Sequence, residues 1–222
     1  MDSDDERWPS RIVEGNGVRL VVRDSQGASA PVVFLHGLGG FAGEWWPTAS
    51  LLVRRHRVLA FDQRGHGGST RRPSDLSRQS HVDDVIAVLD SLEVTEPVVL
   101  VGQSMGAHTA LLVASQHPER VSRLALVEGG VGGGADSATD LVISWFRSWP
   151  TPFPDAATAA DYFGGGLRGR IWASGLSPVE TGLVPRFDIN VLAEAIAPVH
   201  EAAAWLAWAA VRCPVLIVTG TN

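Results

Sequence analysis

The stretch GQSMG at residues 102–106, with Ser104 at its centre, lies between two apolar runs, EPVVLV at 96–101 and AHTALLVA at 107–114. The first run favours a strand and the second a helix, so the order is strand, tight turn, helix. Glycines on both sides of a strained serine let the strand and the helix pack closely. The pattern predicts a serine hydroxyl at the carboxyl end of a sheet, beside the free N–H groups of a helix N-terminus.

Two more apolar runs precede this turn, and a glycine-rich loop follows each of them. The run PVVFL at 31–35 leads into HGLGG at 36–40, and RVLAF at 57–61 leads into DQRGHGGS at 62–69. A strand of a parallel sheet is a continuous apolar run because helices cover both of its faces. Both runs therefore predict buried strands whose loops lie at one edge of a sheet.

Helical patterns separate the strands. We expect helices at 43–52 and 80–92, and a last strand of this series at 121–127 that ends at Glu128. The alternation predicts an α/β fold with a doubly wound, mostly parallel sheet and functional loops at the carboxyl ends of its strands. An Asn-Gly pair within 11–24 predicts an antiparallel hairpin before this sheet.

The second half of the chain has a different character. We interpret GGVGGG at 129–134 as a flexible link. Residues 135–212 are helical in tendency, broken by prolines and rich in tryptophan, and predict a helical cap insertion. The expected organisation is a core at 11–134, a cap at 135–212 and a returning core strand at 213–222. The chain stops directly after that strand, so we expect a core truncated at its C-terminus, with an exposed strand edge.

Composition excludes several classes of protein. The chain has 222 residues, a net charge of −6 and no basic stripe, so nucleic acid is not an expected partner. The N-terminus lacks a signal-peptide pattern, and the most apolar segment, 202–211, is shorter than the ~20 residues of a membrane span. We expect a cytoplasmic protein without a membrane partner. Cys213 is the single cysteine and no metal-ligand spacing is present, so we expect no metal and no cofactor.

The three glycine-rich motifs, at 36–40, 62–69 and 102–106, together resemble those of the α/β-hydrolase superfamily, in particular its capped, esterase-like serine hydrolases. The resemblance implies that Ser104 is a nucleophile that forms an acyl-enzyme. It also implies an oxyanion hole made by the backbone N–H groups of Leu38 and Met105. A serine at this position argues against the dehalogenase and epoxide-hydrolase branches, which attack through a carboxylate.

The rest of a catalytic triad is not evident. In the family that the chain resembles, the acid follows the strand that ends here at Gly220, and the general-base histidine follows a further strand, so neither is present. Glu128 matches the position from which some members supply the acid, and it is our candidate. His108 and His200 are weak candidates for the base. The other histidines are interpreted as loop-structuring residues, His36 and His66, or as surface and helix-end residues, His56, His81 and His117.

Asp62 and Arg64 resemble the loop-locking pair of the same family, with a structural role. Our candidate pocket residues are His36, Gly37, Trp45, Trp145 and Trp149. The predicted function is hydrolysis of a carboxylic ester, thioester or lactone of a small to medium apolar substrate, so the expected partner is a small ester-like molecule. Two alternatives stay open: a non-catalytic ligand-binding protein, and a cofactor-free haloperoxidase-like or carbon–carbon bond hydrolase.

Overall fold

The structure is a computed structural model that describes residues 8–27, 30–134 and 137–220. Its main sheet contains β1 (Ser10–Gly15), β2 (Val18–Asp24), β3 (Val32–Leu35), β4 (Val58–Phe61), β5 (Val98–Gln103), β6 (Val121–Val127) and β9 (Val215–Val218). The spatial order is β1-β2-β4-β3-β5-β6-β9. The pairs β1–β2 and β2–β4 are antiparallel and the remaining pairs are parallel. The predicted doubly wound, mostly parallel sheet and its antiparallel hairpin are confirmed.

Helices connect the strands and continue beyond β6. After a 3₁₀ turn at Ala42–Trp45 the helices are α1 (Trp46–Leu52), α2 (Arg78–Ser91), α3 (Met105–Gln116), α4 (Ala138–Arg147), α5 (Ala156–Tyr162), α6 (Gly166–Ser174), α7 (Ile189–Glu201) and α8 (Trp205–Ala210). Helix α2 begins earlier than expected because the Ser77 hydroxyl caps it, accepting a hydrogen bond from the Ser80 N–H at 3.2 Å.

The main sheet is covered on both faces. Helices α2 and α3 bury the apolar side chains of one face, and α1 packs on the other with Trp8 and Phe34. A third apolar cluster joins the helices between β6 and β9 to Leu38 and Met105, at the carboxyl edge of the sheet. The loops at the carboxyl edge of the sheet therefore lie against the buried side of these helices.

The segment between β6 and β9 differs from expectation in two places. A short antiparallel pair, β7 (Ser177–Val179) and β8 (Gly182–Val184), interrupts its helices and was not predicted. The glycine run is packed rather than loose, because a Cβ at Gly132 would lie 2.4 Å from the Val199 carbonyl oxygen. The boundary expected at residue 135 and the end of the returning strand at 222 lie outside the described residues, as does the acidic N-terminus.

Strand β9 lies at the edge of the main sheet formed by the described residues. It pairs with β6, and Leu216 and Ile217 are 60% and 54% exposed. An exposed strand here agrees with the expectation from the sequence. Within the described ranges, no helix has the length and apolar character needed to cross a membrane.

Candidate active site

Ser104 occupies a strained turn between β5 and α3. Its backbone has φ 51° and ψ −117°, a region that L residues rarely adopt. A Cβ at Gly102 would lie 2.2 Å from the Gly106 carbonyl oxygen, and a Cβ at Gly106 would lie 2.4 Å from the Leu35 carbonyl oxygen. Only glycine fits at either place. The predicted strand, tight turn and helix are confirmed, and backbone from β3 and β5 enforces the turn.

The backbone that flanks Ser104 comes from a helix N-terminus and from a tight loop. Met105 is the first residue of α3, so its N–H has no partner within the helix. The loop after β3 approaches from the other side, since a Cβ at Gly37 would lie 3.2 Å from the Ser104 Cβ. A hydrogen bond of 3.1 Å from the Gly40 N–H to the Gly37 carbonyl closes this loop around Leu38. A helix N-terminus and a tight loop thus flank the serine.

Two cavities border this turn. The serine cavity, of about 450 Å³, is lined by Ser104, Met105, His108 and Glu128, with apolar walls from α7 and α8. The loop cavity, of about 580 Å³, is lined by Gly37, Leu38, Glu44, Trp45, Gln103 and Trp172, among others. Leu38 faces one cavity and Met105 the other, so the turn lies between two spaces that a ligand could enter.

Glu128 lies at the end of β6 in the wall of the serine cavity. It also has a positive φ, of 51°. Its N–H donates to the Val218 carbonyl at 2.9 Å, and its carboxylate accepts a hydrogen bond from the Gly220 N–H. Glu128 is therefore near Ser104, but its side chain is bound to backbone and not to an imidazole.

The two histidines of the serine cavity are both held by other groups. His108 donates from Nδ1 to the Gly130 carbonyl at 2.9 Å, and burial lowers its pKa to about 4. Nδ1 of His200 lies 2.8 Å from the Thr139 hydroxyl, and burial lowers its pKa as well. Within the described residues, which include all seven histidines, none forms a hydrogen bond with the Ser104 hydroxyl.

His36 and His66 hold loops together, as predicted. Nδ1 of His36 donates to the Gly37 carbonyl at 2.7 Å, and Nε2 accepts from the Gln63 N–H at 2.9 Å. Nδ1 of His66 lies 3.0 Å from the Arg64 carbonyl oxygen. Burial lowers the pKa of His36 to about 4 and that of His66 to about 3, so both are neutral at pH 7. These fully buried rings stabilise the loop backbones beside the serine.

The prediction that His81 is a surface or helix-end residue is wrong. His81 is 1% exposed, and the charges that act on it include those of Arg78, Arg64 and His66. Burial and the nearby charge of Arg78 lower its pKa well below the usual range.

Asp62 and Arg64 fix loops, but not by pairing with each other. The Asp62 carboxylate accepts from the Ala42 N–H and the Gly68 N–H, both at 2.7 Å. The Arg64 guanidinium forms a buried ion pair with Asp84 at 2.7 Å. Asp62 thereby joins the loop after β4 to the segment that follows the loop after β3.

The candidate pocket residues are dispersed. Gly37 and Trp45 line the loop cavity, whereas His36 is fully buried and does not reach it. Trp149 is 6% exposed within an aromatic cluster, and Trp145 lines a separate surface depression with Tyr162. The sequence interpretation missed Glu44 and Trp172, since no motif marks either residue.

Comparison with known proteins defines the class to which this fold and turn belong. The sequence profile of the alpha/beta hydrolase fold family matches residues 30–170. The chain therefore belongs to the α/β-hydrolase fold family.

Individual relatives span different shares of the chain. A (E)-2-((N-methylformamido)methylene)succinate hydrolase of Acinetobacter baylyi is 28% identical over 89% of this chain and 74% of its own length. An sn-1-specific diacylglycerol lipase of Mus musculus is 40% identical over 47% of this chain, and the match spans only 34% of the lipase. The crystal structure of an E-2-(acetamidomethylene)succinate hydrolase superposes with a TM-score of 0.85 at 25% identity, covering 95% of this chain and 80% of that one. The similar proteins include hydrolases of small molecules.

Proposed function

We propose that the protein hydrolyses carboxylic ester, thioester or lactone bonds of a small to medium apolar substrate, with Ser104 as nucleophile. The observation that carries the proposal is the strained backbone of Ser104 between two glycines that accept no side chain. The Ser104 Oγ attacks the carbonyl carbon and forms an Oγ–C bond, the ester C–O bond breaks, and the serine hydroxyl proton passes to the departing oxygen, which leaves as the alcohol. Water then attacks the acyl-enzyme carbonyl, the Oγ–C bond breaks, and a water proton returns to Oγ as the acid is released.

The N–H groups of Leu38 and Met105 are the proposed oxyanion donors. Negative charge develops on the substrate carbonyl oxygen as the tetrahedral intermediate forms, and fixed N–H groups stabilise it at once. Loss of one such donor costs about 3–4 kcal/mol in other serine hydrolases. The close packing of Gly37 on Ser104 supports this assignment because it brings the loop of Leu38 to the serine.

The helices between β6 and β9 act in this proposal as a cap that lines the substrate site. Ile196 and Val199 of α7, with Trp205 and Trp208 of α8, give the serine cavity an apolar wall. A volume of about 450 Å³ falls in the ~300–1,000 Å³ range of small-molecule sites. The relatives support a small-molecule substrate, and the mouse lipase supports an ester.

The candidate acid and base determine how fast this chemistry runs. Glu128 borders the serine cavity, which keeps it the candidate acid, but its carboxylate binds the Gly220 N–H and no imidazole of the described residues, so we expect it to contribute little to the rate of this chain. No imidazole of the described residues reaches Ser104, so we expect slow turnover by the 222-residue chain. Serine proteases that lack a triad member still retain about 10³–10⁴-fold catalysis over water from binding and the oxyanion hole. The same observation favours the second candidate function, a ligand-binding protein without turnover.

Hydrolysis of p-nitrophenyl acetate by the purified chain separates the two functions. We expect a slow rate above the buffer reaction that Ser104→Ala abolishes. Ser115→Ala is the matched control, because Ser115 lies on the same helix and its hydroxyl binds only the Leu112 carbonyl. Equal rates for the native chain and Ser104→Ala would contradict the hydrolase proposal. If such an inert chain still bound apolar esters, as detected by a change in tryptophan fluorescence, the binding function would replace the hydrolase proposal.

A further inference from the structure

Glu44 lies inside the loop that carries Leu38, and the proposed chemistry gives it no role. Its Oε2 accepts a hydrogen bond from the Phe41 N–H at 3.4 Å, and its carboxyl also faces the Gly37 N–H. A Cβ at Gly40 would lie 2.5 Å from the same Oε2. The Glu44 carboxyl therefore fills the inner side of the loop and contacts backbone at both of its ends.

The charged groups around Glu44 come from three other segments. Asp62, in the loop after β4, accepts from the neighbouring Ala42 N–H and adds negative charge. Arg168 of α6 lines the same cavity but is exposed to solvent. The Arg186 guanidinium stacks 5.0 Å from the Phe41 ring. Of these charges, that of Asp62 acts on the Glu44 carboxyl and favours its neutral form.

Its surroundings favour the neutral form of this carboxyl. Burial raises the pKa of Glu44 to about 8, the two backbone N–H groups oppose this rise, and the charge of Asp62 adds to it. At pH 7 most Glu44 carboxyls are therefore protonated. A neutral carboxyl still accepts the hydrogen bond from Phe41.

We propose that Glu44 is a positioning residue for the oxyanion hole: its carboxyl fills the inner side of the loop and, through the Phe41 N–H, holds the backbone that carries Leu38. This inference rests on the proposed function of Ser104. An ionised Glu44 would share one loop with the developing oxyanion. We expect repulsion between these like charges to lower the rate about tenfold.

The pH dependence of p-nitrophenyl acetate hydrolysis tests the inference, with the Ser104→Ala rate subtracted at each pH. At pH 7 Glu44→Gln should have the native rate. Between pH 7 and pH 9.5, around pH 8, we expect the ratio of the native kcat to the Glu44→Gln kcat to fall about tenfold, with KM nearly unchanged. The ratio removes the rise in rate that both chains share as the serine hydroxyl ionises, and Glu44→Gln is neutral at every pH. Glu96→Gln is the matched control, since it removes an exposed carboxylate at the opposite end of β5, and it should behave as the native chain does.

Glu44→Ala separates positioning from simple packing. We expect Glu44→Ala to lower kcat at pH 7. Glu44→Gln should have the native kcat at this pH, because its amide oxygen can still accept the hydrogen bond. Identical pH profiles in the native chain and Glu44→Gln would overturn the inference, even if Glu44→Ala failed to fold.

Amide chemical shifts provide a second readout that does not depend on turnover. We expect the N–H signals of Gly37, Leu38 and Phe41 to titrate near pH 8 in the native chain and not in Glu44→Gln. Absence of this inflection in the native chain would overturn the inference. If the amides titrate while Ser104→Ala leaves hydrolysis unchanged, the proposed function fails and the hold of Glu44 on the loop stands.

Discussion

The turns that follow β5 and β6 each contain a non-glycine residue with a positive φ but are built differently. Ser104 and Glu128 each have a φ of 51°, at the carboxyl ends of neighbouring strands. Such conformations cost about 1–3 kcal/mol and persist only where the surroundings enforce them. Backbone from the centre of the sheet encloses Ser104, whereas Glu128 is hydrogen-bonded to the end of β9, at the edge of the sheet formed by the described residues.

This difference distinguishes a turn that forms a candidate active site from a turn that packs against a helix. The Ser104 turn is followed at once by α3, whose first two N–H groups, those of Met105 and Gly106, have no hydrogen-bond partner among the described residues. The Glu128 turn is followed by glycines that pack against α7, such as Gly132 against the Val199 carbonyl. In the Ser104 turn a positive φ is combined with backbone N–H groups that are free to bind a ligand. In the Glu128 turn a positive φ is followed by glycines that pack closely against a helix.

The largest expected effect on stability comes from adding a methyl group to the Ser104 turn. Gly106→Ala would place a Cβ 2.4 Å from the Leu35 carbonyl and 2.5 Å from the His36 carbonyl, both backbone atoms. We expect a loss of about 3 kcal/mol or more in the free energy of unfolding, measured by urea denaturation.

Gly134→Ala is the matched control at the end of the Glu128 turn. Its Cβ would meet only the Ala138 Cβ, at 3.5 Å, so we expect a change within about 0.5 kcal/mol. Equal destabilisation by the two alanines would contradict the distinction between the turns.

The next effect is the pH dependence of stability. The pKa values of His36, His66, His81 and His108 are all lowered from the usual 6.5, mainly by burial. The unfolded chain therefore binds more protons below pH 6.5, and each imidazole costs up to about 1.4 kcal/mol per pH unit until its folded pKa is reached.

Glu44 acts in the opposite direction, because its raised pKa stabilises the fold as the pH falls from 8 towards 4.5. One carboxyl does not offset four imidazoles, so we expect the urea midpoint to fall between pH 7 and pH 5. Replacing His108, which joins α3 to the Glu128 turn, with Gln should reduce this slope. A midpoint that stays level or rises on acidification would show that these rings are not buried in neutral form.

The smallest effect is expected at Glu128. Glu128→Gln keeps an oxygen that accepts from the Gly220 N–H, so we expect a stability change within about 0.5 kcal/mol. Because no imidazole contacts the carboxylate in the described residues, the Ser104-dependent rate should stay within about threefold of native. A loss of about a hundredfold without unfolding would instead establish Glu128 as the catalytic acid.

The sequence predicted features that depend on local sterics and composition. The Ser104 turn was predictable because its tight backbone requires glycine at two positions within five consecutive residues. The sheet was predictable because buried parallel strands are continuous apolar runs. The β7–β8 pair was missed because its strands have three residues each, too few to show a periodic pattern.

Features that depend on distant contacts were not predictable. Arg64 pairs with Asp84 across 20 residues, and nothing in the motif around Arg64 indicates this partner. Glu44 acquires its surroundings only when the loop after β3 folds back over it. His81 is buried near Arg64 and His66 of the loop after β4, a contact that the sequence around it does not indicate.

Covalent labelling by a fluorophosphonate tests the central claim, that Ser104 is a nucleophile held by its turn. Attack by Oγ forms an O–P bond and releases fluoride, so the adduct is located by mass spectrometry of peptides. We predict slow labelling confined to the peptide that contains Ser104, absent from Ser104→Ala and retained in Ser115→Ala. Labelling elsewhere, or no labelling of the folded native chain, would contradict the claim.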